Sequence, residues 1–153
     1  MVREHTASGP SQVTFNFRRP GYVYDMRKGT VSPEKRTSQK IVLKPGEACF
    51  LAVLPEQPKQ PEITAPAAVK QGEVFAFTVQ VPGSKLEHAF ELVTTGPDGE
   101  KRRLYSGVVR GKGGKYTGSF RTALNDLPGK WVISARDALT GKKTVHAFEV
   151  TSR

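Results

Sequence analysis

Three histidines are the residues of this chain whose side chains most readily act as bases or metal ligands. They lie far apart in the sequence, at His5, His88 and His146. No HExxH motif, histidine pair or second cysteine accompanies them, so their spacing matches no zinc site. His88 and His146 each begin a similar stretch, His-Ala-Phe-Glu. We predict that both occupy strand positions, and we expect neither a metal site nor a cofactor.

The other groups used in hydrolysis lack the spacing that catalysis requires. No serine stands in a Gly-x-Ser-x-Gly elbow, and the glycine- and lysine-rich stretches 111–115 and 140–143 do not match a phosphate-binding loop. Nothing in the sequence holds two carboxylates at the separation of a glycosidase pair, although four aspartates are formal candidates: Asp25, Asp98, Asp126 and Asp137. Asp98 already has a structural role in a Gly-Pro-Asp-Gly turn. The sequence therefore predicts that the chain is not an enzyme.

The single cysteine, Cys49, lies inside an apolar run at residues 48–54. A lone thiol in such a run is expected to be buried and inert, and it cannot form an internal disulfide. No apolar run is long enough to span a membrane, and the first six residues lack the apolar core of a signal peptide, so an export signal was removed or was never on this piece. The location stays unknown, with an extracytoplasmic one, periplasmic or secreted, favoured.

Positive charge is the feature that points most directly to a ligand. The net charge is +10, spread over both halves of the chain. Its densest groups stand at opposite ends of a predicted strand, residues 103–109, and comprise Lys101, Arg102 and Arg103, then Arg110, Lys112 and Lys115. A strand of that length separates the groups by about 20 Å. These side chains are candidates for binding an anionic polymer such as a polysaccharide, and a nucleic acid is not expected. Alternatively, the charge only keeps the protein soluble.

Aromatic side chains are the second kind of candidate binding residue, because exposed rings stack on sugars. Tyr22 and Tyr24 share one face of a predicted short strand beside two arginines and are the better candidates for an exposed pair. For these tyrosines an interface with a neighbouring domain is favoured over a ligand. Trp131 begins a strand on the same side as Ile133 and Ala135, so it is predicted to pack in the core.

The elements that must position these residues are strands. In the first third of the chain, residues 13–17 alternate apolar and polar, residues 22–24 have β composition, and residues 41–43 are divided from the apolar run 48–54 by a Lys-Pro-Gly-Glu turn. Because the run 48–54 is apolar on both faces, it is predicted to be the central, doubly covered strand of this segment.

Prolines divide the chain. Residues 55–66 contain four of them, which predicts a stiff linker. We therefore expect a small antiparallel β-segment at 1–55, a linker at 56–66 and a larger domain at 67–153. Beyond residue 60, turn residues separate about seven short strands, near residues 63–69, 73–81, 88–95, 103–109, 116–121, 131–137 and 144–151.

Short strands with turns every eight to twelve residues are the pattern of an immunoglobulin-like sandwich. The predicted fold class is all-β: an immunoglobulin-like antiparallel sandwich preceded by a small antiparallel β-segment. A segment of about 55 residues buries little apolar surface by itself. Residues 1–55 are therefore predicted to contact a protein partner, either the second domain or a preceding part of a larger protein whose β-domain they would complete.

Several stretches carry a resemblance to a known group of proteins. Three stretches look like the closing β-domain of large bacterial glycoside-hydrolase-like proteins: residues 21–29, which begin Gly-Tyr-Val-Tyr-Asp, residues 41–48, which end Lys-Pro-Gly-Glu-Ala, and the run 51–55. Residues 68–73, 96–99, 128–131 and 137–141 are similar to the immunoglobulin-like or macroglobulin-like modules appended to them. The resemblance implies a role in spacing, docking or stabilising such an enzyme. No catalytic residue of those proteins maps here, and this chain contains no catalytic barrel.

Three functional hypotheses follow. The leading one is a non-catalytic structural or interaction module, the C-terminal accessory part of a carbohydrate-active protein. The alternative is a carbohydrate- or anionic-polymer-binding module that uses the six cations and two tyrosines named above. An enzyme, the third hypothesis, would need a pocket with converging carboxylates, which the sequence does not predict.

Overall fold

The computed structural model of the chain describes residues 2–3 and 9–153, so His5 lies outside the described residues. Regular structure in this part is β, apart from one 3-10 turn at Arg103–Tyr105. The chain divides into two compact units, Met1–Pro58 and Lys59–Arg153. A search of the described residues for a helix long and apolar enough to cross a membrane found none.

The first unit contains short strands arranged around one long strand. Its described strands are β1 Val2–Arg3, β2 Ser11–Asp25, β3 Thr30–Val31, β4 Arg36–Leu43, β5 Ala48–Cys49 and β6 Leu51–Leu54. The first half of β2 pairs with β4, and its second half pairs with β6 and β3. A separate antiparallel pair joins β1 to β5. The long strand β2 is therefore the centre of the unit.

A bend allows β2 to serve two partners. Its register against β4 shifts between Asn16 and Gly21, around Pro20, which has no N–H to donate to a ladder. Gly21 lies so close to β6 that a Cβ there would stand 2.5 Å from the Cγ1 atom of Val53. The two strands predicted at 13–17 and 22–24 are thus the two halves of one bent strand.

The prediction of a central strand at 48–54 is wrong. This run forms two short strands, β5 and β6, and β6 pairs with β2 alone among the described strands. Phe50 and Val53 are 40% and 39% exposed, and Cys49 is half-buried rather than buried. The reason is that the longer β2 can pair along both edges, which leaves the apolar run at the side of the sheet.

The first unit has a small apolar core. Its buried apolar side chains among the described residues are Val23, Tyr24, Leu43 and Leu54. Three residues that alternate along the first half of β2 are only half-buried: Val13, Phe15 and Phe17. Four further apolar side chains are exposed: Met26, Val42, Phe50 and Val53.

The second unit is a two-sheet sandwich of eight described strands: β7 Glu62–Thr64, β8 Ala68–Lys70, β9 Val74–Gln80, β10 His88–Thr95, β11 Gly107–Gly111, β12 Lys115–Arg121, β13 Gly129–Asp137 and β14 Lys143–Thr151. One sheet has the order β11-β10-β13-β14-β8, and the other has the order β12-β9-β7. All pairs are antiparallel except β14 with β8. The predicted all-β class with an immunoglobulin-like sandwich is confirmed.

The core of the sandwich lies between its two sheets. Alternate residues of β9 point inward, as its period of two predicts, and Phe75 stacks on Phe148 with ring centroids 4.0 Å apart. Trp131, Ile133 and Ala135 are completely buried, so the predicted core position of the tryptophan is confirmed. The Trp131 indole N–H donates to the carbonyl of Leu127 at 2.9 Å, which satisfies its one polar atom.

Two predicted boundaries of this unit differ from the structure. Within the predicted linker 56–66, Pro61 is buried and β7 pairs with β9, so the second half of that stretch is part of the sandwich. The predicted strand 103–109 is a 3-10 turn followed by β11. Here the Thr94 hydroxyl donates to the carbonyl of Tyr105, and the Thr94 N–H donates to Ser106 Oγ. These side-chain bonds replace the ladder that an extended strand would make.

Candidate functional site

In the first predicted cationic group, Arg102 is held by contacts within the protein, whereas Lys101 is exposed. The Arg102 guanidinium forms an ion pair with Asp98 at 2.6 Å and lies over the Trp131 ring, 5.2 Å from its centroid. This hydrogen bond, helped by the N–H of Glu100, holds the pKa of the Asp98 carboxyl below its usual value by stabilising the carboxylate. Arg102 therefore supports its own turn instead of extending toward a ligand.

The second cationic group is also partly neutralised. Arg110 forms an ion pair with the carboxylate of Glu87. Lys112 and Lys115 are exposed at the tip of the β11–β12 hairpin, where their backbones bond to each other. Arg103, from the first group, is exposed in the 3-10 turn.

The two groups do not form one patch. Lys101 bridges to Thr95 at one end of β10, whereas Arg110 pairs with Ala89 near the other end. Six residues of extended strand separate these positions by about 20 Å. A ligand would have to span that distance to contact both groups.

The two candidate tyrosines differ in exposure. Tyr22 is half-buried, and Lys35 lies over its ring with Nζ 5.9 Å from the centroid. Tyr24 is only 3% exposed and belongs to the core of the first unit. The prediction of an exposed pair is therefore wrong, because the ring of Tyr24 is packed in the core on one face of β2.

A serine, a histidine and an aspartate that the sequence did not connect come together in the sandwich. Ser84 Oγ lies 2.9 Å from His88 Nε2, and His88 Nδ1 lies 3.3 Å from Asp137 Oδ1. His88 and Asp137 are both buried, at the edge of the core where the ring of His88 stacks on Phe90. The order of these groups is that of a hydrolytic triad, so their geometry must be compared with that of a catalytic site.

The geometry favours a structural role for this cluster. His88 Nδ1 is near Asp137 but makes no aligned hydrogen bond, so the aspartate does not hold the ring as a triad aspartate does. Ser84 Oγ also accepts the N–H of Leu86 at 3.2 Å, a local turn contact. Asp137 in turn accepts the hydroxyl of Thr140 at 2.7 Å. The cluster therefore ties the loop before β10 to the turn after β13.

The sequence held only a weak signal for this cluster. His88 does occupy a strand, as predicted, and Asp137 begins the turn Asp-Ala-Leu-Thr-Gly, in which an aspartate commonly binds its own backbone. Nothing local indicates that β10 and β13 are neighbours, and only that pairing brings the two side chains together. Within the described residues, no group of three or more His, Cys, Asp or Glu side chains is arranged to hold a metal ion.

A groove in the first unit brings together cations that the sequence analysis did not single out. It has a volume of about 410 Å³ and lies between β4, the segment that includes β3, and Leu51. Its cationic lining residues are Lys28, Arg36 and Lys40, and its one carboxylate is Asp25. A second cavity of about 240 Å³ shares Asp25, Lys28, Ile41 and Val42 with it and continues toward β5. We call the two cavities together the β4 groove.

Comparisons with known proteins do not assign the chain to a family. No family model matches the chain, and no curated protein matches it. Among solved structures, the chain is similar to the CARDB domain of the PF1109 protein from Pyrococcus furiosus, determined in complex with di-metal ions. The two are 14% identical, the match covers 60% of this chain and 86% of that domain, and the TM-score is 0.39.

Proposed function

We propose that this chain is a non-catalytic interaction module that serves a carbohydrate-active protein as a C-terminal accessory part. One observation carries the proposal: the first unit combines a small apolar core with large apolar side chains that are exposed. Met26, Val42, Phe50 and Val53 are exposed there, beside a core of only four buried apolar side chains among the described residues. Small β-units of this kind are stabilised when a protein neighbour covers such a surface.

The position of Phe50 suggests where the neighbour would bind. The Met26 N–H donates to the carbonyl of Phe50 at 2.9 Å, so two exposed apolar residues adjoin at the end of β2. Val53 lies three residues further along, on β6. Val53 is on the opposite face of this strand pair, so an apolar surface of a partner would cover Met26 and Phe50. Little hydrogen bonding would be lost, because the backbone of β6 is already paired with β2.

The link to carbohydrate-active proteins rests on the resemblance of residues 21–29, 41–48 and 51–55 to the closing domain of glycoside-hydrolase-like proteins. These residues form the second half of β2 with the turn after it, the end of β4 with the turn that leads into β5, and β6. They include part of the surface proposed for docking. A docking role therefore uses some of the residues that carry the resemblance, such as Met26, and also Phe50, which lies between two of these stretches.

The carbohydrate part of the proposal has a genetic test. We expect the sequence encoded immediately before this chain, in the same or the adjacent reading frame, to specify a glycosidase-like domain. An upstream region that encodes no such domain would contradict the assignment to a carbohydrate-active protein.

The docking part has a physical test with that glycosidase-like domain as the titrant. Phe50→Asp should weaken its binding to the full chain by about tenfold or more, since a buried charge replaces an apolar contact. Val145→Asp is the control, because Val145 is also exposed, at 62%, but lies on the sandwich. Calorimetric titrations in which both variants bind as the natural chain does would exclude docking through β6.

A further inference from the structure

The β4 groove runs beside a strand that has one pairing partner. In the described structure β4 pairs only with β2. Consecutive residues 39–42 of β4 line the groove together with Lys28 and Pro33. Its walls include the aliphatic side chains of Val23, Ile41 and Leu51. The two adjoining cavities give it the length to hold a chain-like ligand rather than a single small ion.

Two cations of the larger cavity have no carboxylate partner among the described residues. Arg36 uses one guanidinium nitrogen to bond the side-chain oxygen of Gln39, at 3.1 Å, which orients it without neutralising its charge. Lys40 makes no ion pair with any described residue and is exposed. Lys28 is paired at 3.8 Å with Asp25, the one carboxylate lining the larger cavity. The larger cavity therefore carries a net positive charge.

The cations of the sandwich are arranged differently. Arg102, Arg110 and Arg136 each bond a nearby carboxylate. The remaining lysines of the two predicted groups stand at a strand end and a hairpin tip, about 20 Å apart. The β4 groove, in contrast, presents Arg36 and Lys40 four residues apart on one strand, about 13 Å along it, with Lys28 facing them.

The lining of the groove limits the class of ligand. None of the residues that line it is aromatic, so it offers no platform for stacking the bases of a single-stranded nucleic acid. Lysine and arginine beside an open strand edge also discourage the addition of another strand, which argues against an extended peptide. The hydroxyl of Thr30 also lines the larger cavity and suits a hydroxylated ligand.

We propose that the β4 groove binds an acidic polysaccharide, whose carboxylate or sulfate groups pair with Arg36 and Lys40. The aliphatic wall contacts the apolar faces of the sugar rings, and Lys28 contributes a third charge. The site moves the anionic-polymer hypothesis from the sandwich to the first unit. It goes beyond the proposed docking function, which requires neither cation.

Binding of two matched pairs of polymers to the full chain tests the proposal. Polygalacturonate is compared with its methyl ester, and dextran sulfate with dextran, by titration calorimetry at low salt. At least one acidic polymer should bind, its neutral counterpart should not, and the affinity should fall as salt is added. The acidic polymer that binds more tightly tells whether carboxylate or sulfate is the preferred group.

Charge-matched variants locate the site. Arg36→Gln with Lys40→Gln should weaken binding about tenfold or more, because two charge-assisted contacts are lost. Arg18→Gln with Arg19→Gln removes the same charge from exposed residues of the same unit that do not line the groove, and should change the affinity less than about twofold. Lys40→Gln alone should give a smaller loss and leaves the Arg36–Gln39 bond intact, which separates loss of binding from loss of folding.

Several results would overturn the proposal. The first is that neither acidic polymer binds. The second is that the Arg18 and Arg19 control loses as much affinity as the variant of Arg36 and Lys40. The third is that only Lys112→Gln with Lys115→Gln weakens binding, which would place the site on the sandwich. If single-stranded DNA of equal charge bound as tightly as the acidic polysaccharide, the groove would attract any polyanion and would not be a saccharide site. None of these results alters the Phe50→Asp titration, so failure of the groove and failure of docking are distinguishable.

Discussion

Asp137 shows what a single buried carboxylate does in this protein. It is completely buried, accepts the Thr140 hydroxyl at 2.7 Å, receives the N–H of Leu139 at 3.3 Å and lies beside His88. A buried charge is tolerated only when such partners surround it. Here the partners belong to a turn and to a neighbouring strand, so the carboxylate stabilises both at once.

Removal of that carboxylate should therefore destabilise the sandwich. We expect Asp137→Ala to lower the free energy of unfolding by about 2–4 kcal/mol, because it leaves buried donors without an acceptor. Glu149→Ala is the control: Glu149 is an exposed carboxylate on β14, and its loss should cost about 0.5 kcal/mol or less. Denaturant unfolding of the two variants gives the comparison. Equal effects would show that the Asp137 cluster contributes nothing to stability.

Asp98 provides a prediction about pH. The pKa of Asp98 lies below the usual value, chiefly because of the hydrogen bond from Arg102. The pair therefore stabilises the folded protein fully at pH values above the pKa that Asp98 has in the unfolded chain. This stabilisation is lost as the pH falls through the pKa that Asp98 has in the folded protein. In Arg102→Gln the carboxyl should titrate at higher pH, nearer its usual range, as followed by carbon NMR of the side chain. Lys101→Gln removes the same charge from the adjacent exposed residue and should leave the titration of Asp98 nearly unchanged. A shift of similar size in both variants would contradict a specific pair.

At the scale of elements, the start of the sandwich is the main difference from the sequence prediction. The prolines at 55–66 indicated a linker, yet β7 lies within that stretch and pairs with β9, with Ile63 opposite Val79. Proline stiffens the chain but does not prevent a short edge strand next to it. Ile63 and Ala65 also pack against the core of the sandwich.

Two fragments distinguish the predicted boundary from the observed one. Residues 59–153 should be more stable than residues 67–153 by about 2–4 kcal/mol, because the shorter fragment loses β7 and the burial of Pro61 and Ile63. Denaturant unfolding of both fragments measures the difference. A true linker at 56–66 would make the two fragments equally stable. Residues 63–153, which keep β7 nearly intact but lack Pro61, should fall between them.

At the scale of the whole molecule, the two units differ in the size of their buried apolar cores. The core cluster of buried residues belongs entirely to the second unit, and it includes contributions from both sheets. The first unit has four buried apolar side chains in its described part and an open groove. The sites proposed for a protein partner and for an acidic polysaccharide both lie in the first unit, which has the smaller apolar core.

The sequence by itself determined the all-β class, most strands of the sandwich and the burial of Trp131. These features depend on local causes, namely the alternation of apolar residues and the chemistry of turns, which are visible in any short stretch. Strand β10 shows this directly, because its predicted bounds, 88–95, agree with those observed.

Only the tertiary structure decided the burial of Tyr24, the side position of β6, the contact of His88 with Asp137 and the grouping of Arg36, Lys40 and Lys28. Each depends on which strands become neighbours, and that choice depends on packing between residues distant in the chain. The spacing of the histidines and cations in the sequence could not reveal it. For this protein, local pattern therefore predicted the scaffold, whereas strand pairing created its candidate sites.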